Sequence, residues 1–122
     1  MAIEQAKNAL GKINVDDAYL DIACFLSQQA IKFLMKAILL EYGERYRKTH
    51  DISELLELLY SINFHFNREE ELELLSSTMT DWEEISRYGK GVRTGIQTVQ
   101  RVHNIYDEMN RGFLARVAEN NN

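Results

Sequence analysis

The chain has 122 residues, 45% of them hydrophobic and 27% charged, with a formal net charge of −5, six glycines, one cysteine and no proline. Average usage would supply roughly six prolines, so proline-rich linkers, polyproline ligands and cis-proline turns are excluded while long uninterrupted helices are permitted. The length suits a single domain over residues 1–122, and the lone Cys24 excludes an intrachain disulfide framework and a four-cysteine zinc site.

Helical periodicity fills almost the whole chain and no segment alternates as a strand. Residues 2–11 predict a short first helix with Ile3, Ala6 and Leu10 on one side, closing at Gly11. Asp16 is a natural N-cap for a long helix over Asp17–Tyr42. Tyr19, Ile22, Ala23, Leu26, Ala30, Phe33, Ala37 and Leu40 follow at helical steps as its apolar face, and Ile31, Met35, Ile38, Leu39 and Tyr42 add a second stripe. A narrow strip with Asp21, Gln28, Lys32 and Lys36 is expected to stay polar. A helix this apolar belongs at the centre of a bundle or against a second subunit.

Gly43 ends that helix, and Thr49 or Asp51 caps the next, over residues 52–63, with Glu54 placed to complete a capping box. Phe64-His65-Phe66-Asn67 breaks the period as a connection whose aromatics turn inward. Helical pattern resumes over 68–75, loosens at Ser76-Ser77-Thr78, and restarts at Asp81 for Trp82–Tyr88. Gly89-Lys90-Gly91 is the clearest loop, and a last helix is expected from about Thr94 to Val117, followed by a frayed Asn120–Asn122 tail. The expected fold is all-α: an up-and-down bundle of four or five helices.

Charge is segmented along the chain. Residues 1–50 hold seven basic and six acidic side chains, residues 51–84 one and ten, and residues 85–118 six and two. The acidic block reads as a solvated helix face. The basic block, with Arg87, Lys90, Arg93, Arg101, Arg111 and Arg116, suits either phosphate or the acidic block itself. The longest apolar run falls short of a membrane span and the N-terminus lacks a signal-peptide pattern, so a cytoplasmic protein without membrane contact is expected.

Most catalytic signatures are missing. There is no phosphate-binding glycine loop after a strand, no paired-histidine motif and no Glu-x-x-His pair, so no metal and no cofactor are expected. Cys24, between Ala23 and Phe25, reads as a small buried apolar residue. His65, between two phenylalanines, and His103, at the margin of the last helix's apolar face, read as structural. Two readings stand for His50, which follows Arg45-Tyr46-Arg47-Lys48: a capping or packing residue, or a base or donor toward a phosphate that the arginines hold.

With Phe25-Leu26-Ser27-Gln28-Gln29-Ala30, Lys36-Ala37, Thr49-His50-Asp51-Ile52 and Leu55-Leu56-Glu57-Leu58-Leu59 in view, the chain resembles the HEPN family of small all-α domains over roughly residues 15–118. The stretch Tyr88 to Arg93 is similar to the family's aromatic-to-arginine segment before its final helix, although Thr94-Gly95 stands where the family has Tyr-Pro. Lys32-Phe33 also replaces the usual Glu-Lys. The resemblance implies a domain that dimerises, binds a nucleotide or RNA at the subunit junction, and pairs with a small nucleotidyltransferase in a toxin–antitoxin type system. On that reading Lys36, Arg45, His50, Arg87 and Arg93 are the phosphate-binding candidates. The alternatives are a metal-independent endoribonuclease toxin with Arg45 and His50 as its catalytic pair, spaced as in the family's nucleases, and a purely structural dimerisation module.

Overall fold

The structure, a computed structural model, describes residue 3 and residues 18–44, 51–87 and 96–120. Among these the fold is all-α, a bundle of four helices: α1 (Ala18–Glu41), α2 (Ile52–Ser61), α3 (Glu69–Arg87) and α4 (Ile96–Asn120). Helix α1 packs against each of the other three, which explains why it carries the most apolar sequence in the chain. Two contacts, one on α1 and one just past its end, fix the sense of α4: Ser27 meets His103 and the Tyr42 ring lies under the Arg116 guanidinium, so the two helices run the same way. Helix α3 runs against both its sequence neighbours. Asn67 and Glu71 meet Glu108 and Arg101 of α4, while Ser53 of α2 meets Ser76 of α3.

Local chemistry sets the helix ends. Gly43 takes φ of +71° directly after α1, a left-handed stop that costs glycine little. Asp51 starts α2 by accepting a 2.9 Å hydrogen bond from the Ser53 amide. The connection from α2 to α3 uses positive φ at Asn63 and Arg68 and turns Phe64 and Phe66 into the core, as their sequence position predicts. The core otherwise consists of Ile31, Met35, Ile38 and Leu39 of α1, Ile52, Leu55, Leu56 and Leu59 of α2, Leu72 and Met79 of α3, and Val99, Val102, Ile105 and Met109 of α4.

Four expectations need correction. The shared direction of α1 and α4 departs from the expected up-and-down order, in which helices three places apart in the chain run oppositely. The sequence pattern breaks at Ser76-Ser77-Thr78, yet α3 is continuous from Glu69 to Arg87. Ser76 satisfies its hydroxyl inside the helix, donating to the Glu73 carbonyl at 2.8 Å while accepting from Ser53, and Leu72 and Met79 hold the apolar period on either side. The final helix is longer than predicted, continuing through Asn120. On α1, Gln28 and Lys32 are not on a solvated strip: both are buried, Lys32 to 2% exposure. With neighbours on three sides, the strip of α1 left to solvent among the described residues is the one holding Ile22, Phe25, Phe33, Ala37 and Leu40. The predicted first helix over 2–11 lies outside the described residues except for Ile3, which is helical and buried, and so does the predicted loop Gly89-Lys90-Gly91.

Candidate functional site

The interior of the bundle carries a polar seam. Ser27, Gln28 and Lys32 project from α1 and His103 from α4, all buried, with Ser27 Oγ and His103 Nε2 2.8 Å apart. An imidazole and a hydroxyl that pair with each other avoid the desolvation cost each would incur alone. Their burial makes the pair a structural link rather than a surface for substrate, consistent with the structural reading of His103. Cys24 is likewise fully buried.

The outer strip of α1 is apolar where a bundle helix is ordinarily charged. Ile22, Phe25, Phe33 and Leu40 are 46%, 37%, 60% and 62% exposed. Beside the strip, between α1, α4 and the buried Ile3, runs a groove of about 420 Å³ lined from the two helices by Ala30, Phe33, Leu34, Ala37, Tyr106 and Phe113. Lys36 is half-buried on the margin of this strip. By length and composition alone Ile22–Glu41 could cross a membrane, with mean hydropathy 1.4 over 20 residues, but 61% of the segment is buried within the bundle.

A second concave surface, about 440 Å³, opens where the α2–α3 connection meets α4. His65 stacks on Tyr60 with ring centroids 5.4 Å apart, and its Nδ1 sits 3.1 Å from a Glu69 oxygen. Burial, then the negative charge of Glu69, Glu73 and Glu70, pushes the Tyr60 hydroxyl up to about 12. Asn67 Nδ2 and Arg111 Nη1 donate to opposite oxygens of Glu108 at 3.3 and 3.1 Å. Nearby, Glu71 accepts from Arg101 Nε at 2.7 Å and Arg68 Nη1 at 3.0 Å, bonds that hold its carboxyl below the usual carboxylate range.

Of the phosphate candidates read from sequence, Lys36 is placed on α1 and Arg87 closes α3. The Arg87 side chain and the whole of Arg45, His50 and Arg93 lie outside the described residues. No group of three metal-ligating side chains occurs among the described residues. The His65 cluster was missed in the sequence because only half of it is local. The four-residue step from His65 to Glu69 is visible in the sequence, but Asn67 and Glu108 are 41 residues apart and meet only through the packing of α4 on the connection.

The described residues place the chain among the small all-α bundle domains. Within that class, the HEPN domain model matches residues 1–112, nearly the whole chain, and the protein belongs to the HEPN domain family. No curated protein and no solved structure matches it.

Proposed function

We propose that this HEPN domain works as a symmetric pair of chains joined along the outer strip of α1, and that the pair binds the phosphate of a nucleotide, free or within RNA, alone or as the partner of a small nucleotidyltransferase. The observation that carries this reading is the exposed row Ile22, Phe25, Phe33 and Leu40 on the helix that also builds the core. An isologous contact needs a patch that fits itself. Here a protruding Phe33 lies next to an apolar groove large enough to receive a phenyl ring. Four partly exposed large side chains and the groove offer roughly 500 Å² per chain, or about 1,000 Å² for the pair, the size at which specific interfaces begin.

Phosphate binding is assigned to Lys36, Arg45, His50, Arg87 and Arg93. Lysine and arginine supply charge, and arginine can engage two phosphate oxygens at once. Lys36 stands at the margin of the strip, so pairing would bring two copies of it to one interface. Light scattering coupled to gel filtration tests the pairing, with a dimer expected for the parent chain and a folded monomer for Phe33→Asp. Thermal shift with ATP and with short RNA at low salt tests the ligand, the stabilisation fading as salt rises and diminishing in Lys36→Ala and Arg45→Ala. A monomeric parent chain with no response to either ligand would remove both parts of the proposal.

A further inference from the structure

The groove beside the outer strip of α1 has a wall that the four helices do not supply. Its lining residues belong to α1 and α4 with one exception among the described residues, Ile3. Ile3 is helical and buried, so it is packed on the bundle at this point. The family match begins at residue 1 and takes this position into the domain. On the α1 side the hollow comes from two small residues seven apart, Ala30 and Ala37, which bracket Phe33 and Leu34. Leu34 is buried, while Phe33 stands out into solvent at the edge of the groove. Tyr106 and Phe113 close the α4 side.

This arrangement puts a knob, Phe33, and a hole at one level of the same face. A two-fold axis through that level carries each Phe33 over the other chain's groove, so the contact closes with two chains and leaves no open end. A cavity of roughly 150 Å³ is enough for a benzene-sized group, and the groove offers about 420 Å³ with Ile3 in place. Ile3 therefore does not have to leave for a ring to enter. It adds a third side, and a ring held on three sides gains dispersion contacts that a furrow between two helices leaves to water.

We infer that Ile3 is the third wall of the pairing groove and packs against Phe33 of the second copy, so that the N-terminal end of each chain sets how tightly two chains join. This rests on the pairing proposed above and adds to it a residue from outside the exposed strip of α1.

Sedimentation equilibrium of the full chain gives the dissociation constant of the pair, and circular dichroism at the same concentrations checks the fold. Ile3→Ala is expected to weaken pairing about a hundredfold, from about tenfold for one truncated, well-packed contact that enters a symmetric pair twice. Ile3→Leu keeps the volume and is expected to pair far more tightly than Ile3→Ala. Because Ile3→Ala also loosens the chain's own packing, a second measurement uses the parent sequence. A pair mixed from isotope-labelled and unlabelled chains is expected to show filtered Overhauser contacts between the Ile3 methyls of one chain and the Phe33 ring of the other. These contacts decide the matter if Ile3→Ala does not fold. A dimer that lacks them, or whose dissociation constant a folded Ile3→Ala leaves unchanged, overturns the inference and leaves the pairing standing. A parent chain that stays monomeric at every concentration overturns the pairing itself and this inference with it.

Discussion

Ser27 of α1 and His103 of α4 form a 2.8 Å hydrogen bond inside the bundle, 76 residues apart in sequence. Both are buried, so removing one partner takes from the other a hydrogen bond that bulk water does not replace. Ser27→Ala and His103→Leu are each expected to destabilise the fold by about 1–3 kcal/mol. The double variant should cost less than their sum, because the bond between the two is lost only once. Urea unfolding of the four chains measures this, and strict additivity would mean the bond contributes nothing specific.

Adjacent leucines on α1 separate core from surface. Leu39 is fully buried and Leu40 is 62% exposed. Leu39→Ala is expected to cost about 2–5 kcal/mol by opening a cavity, and Leu40→Ala less than about 0.5 kcal/mol in dilute protein. Equal losses would show that the helix is rotated from the orientation described.

The outer strip of α1 makes apparent stability depend on concentration. If pairing buries Phe33 and Leu40, mass action raises the melting temperature as the protein is concentrated. Phe33→Asp is expected to abolish that dependence while leaving the melting temperature of dilute protein little changed. A parent chain whose melting point is constant over a hundredfold dilution would count against the pair.

Glu71 gives the fold a pH-sensitive link between α3 and α4. Its hydrogen bond from Arg101, with a second from Arg68, lowers its pKa in the folded chain below the ordinary 4.5. A depressed carboxylate contributes stability that is present above its unfolded value and is lost as pH falls through the folded one. Both arginines are about half exposed, so the contribution at pH 7 is of order 1 kcal/mol or less. Glu71→Gln should therefore lower stability more at pH 7 than in acid, the difference shrinking as pH falls below 4.5. An equal loss in both conditions would trace the effect to packing.

The helices were legible because their periods and caps are local. Gly43, Asp51 and the inward aromatics at Phe64 and Phe66 act where the sequence places them. The orientation of α1 was less legible, since a helix apolar nearly all round gives periodicity no preferred direction. Its buried side was decided by three neighbouring helices, which drew Gln28 and Lys32 inward and left Phe33 outside. Ser76 misled in the opposite way: a hydroxyl that reads as a helix breaker was already satisfied by Glu73 and Ser53. The cleft at His65 depends on α4 crossing the connection, a relationship with no counterpart in local sequence.

The shared direction of α1 and α4 also makes the bundle electrically polar. Each helix carries the equivalent of roughly half a positive charge at its start and half a negative charge at its end. Antiparallel neighbours largely cancel these, but parallel ones add. The C-terminal parts of α1 and α4 come together where the Arg116 guanidinium lies 5.6 Å above the Tyr42 ring, setting a cation near the negative ends of both helices. At the opposite end the two helix starts also share one direction, and there the sequence sets Asp16 and Asp17 just before α1 and Asp21 in its first turn, negative charges that offset the positive pole.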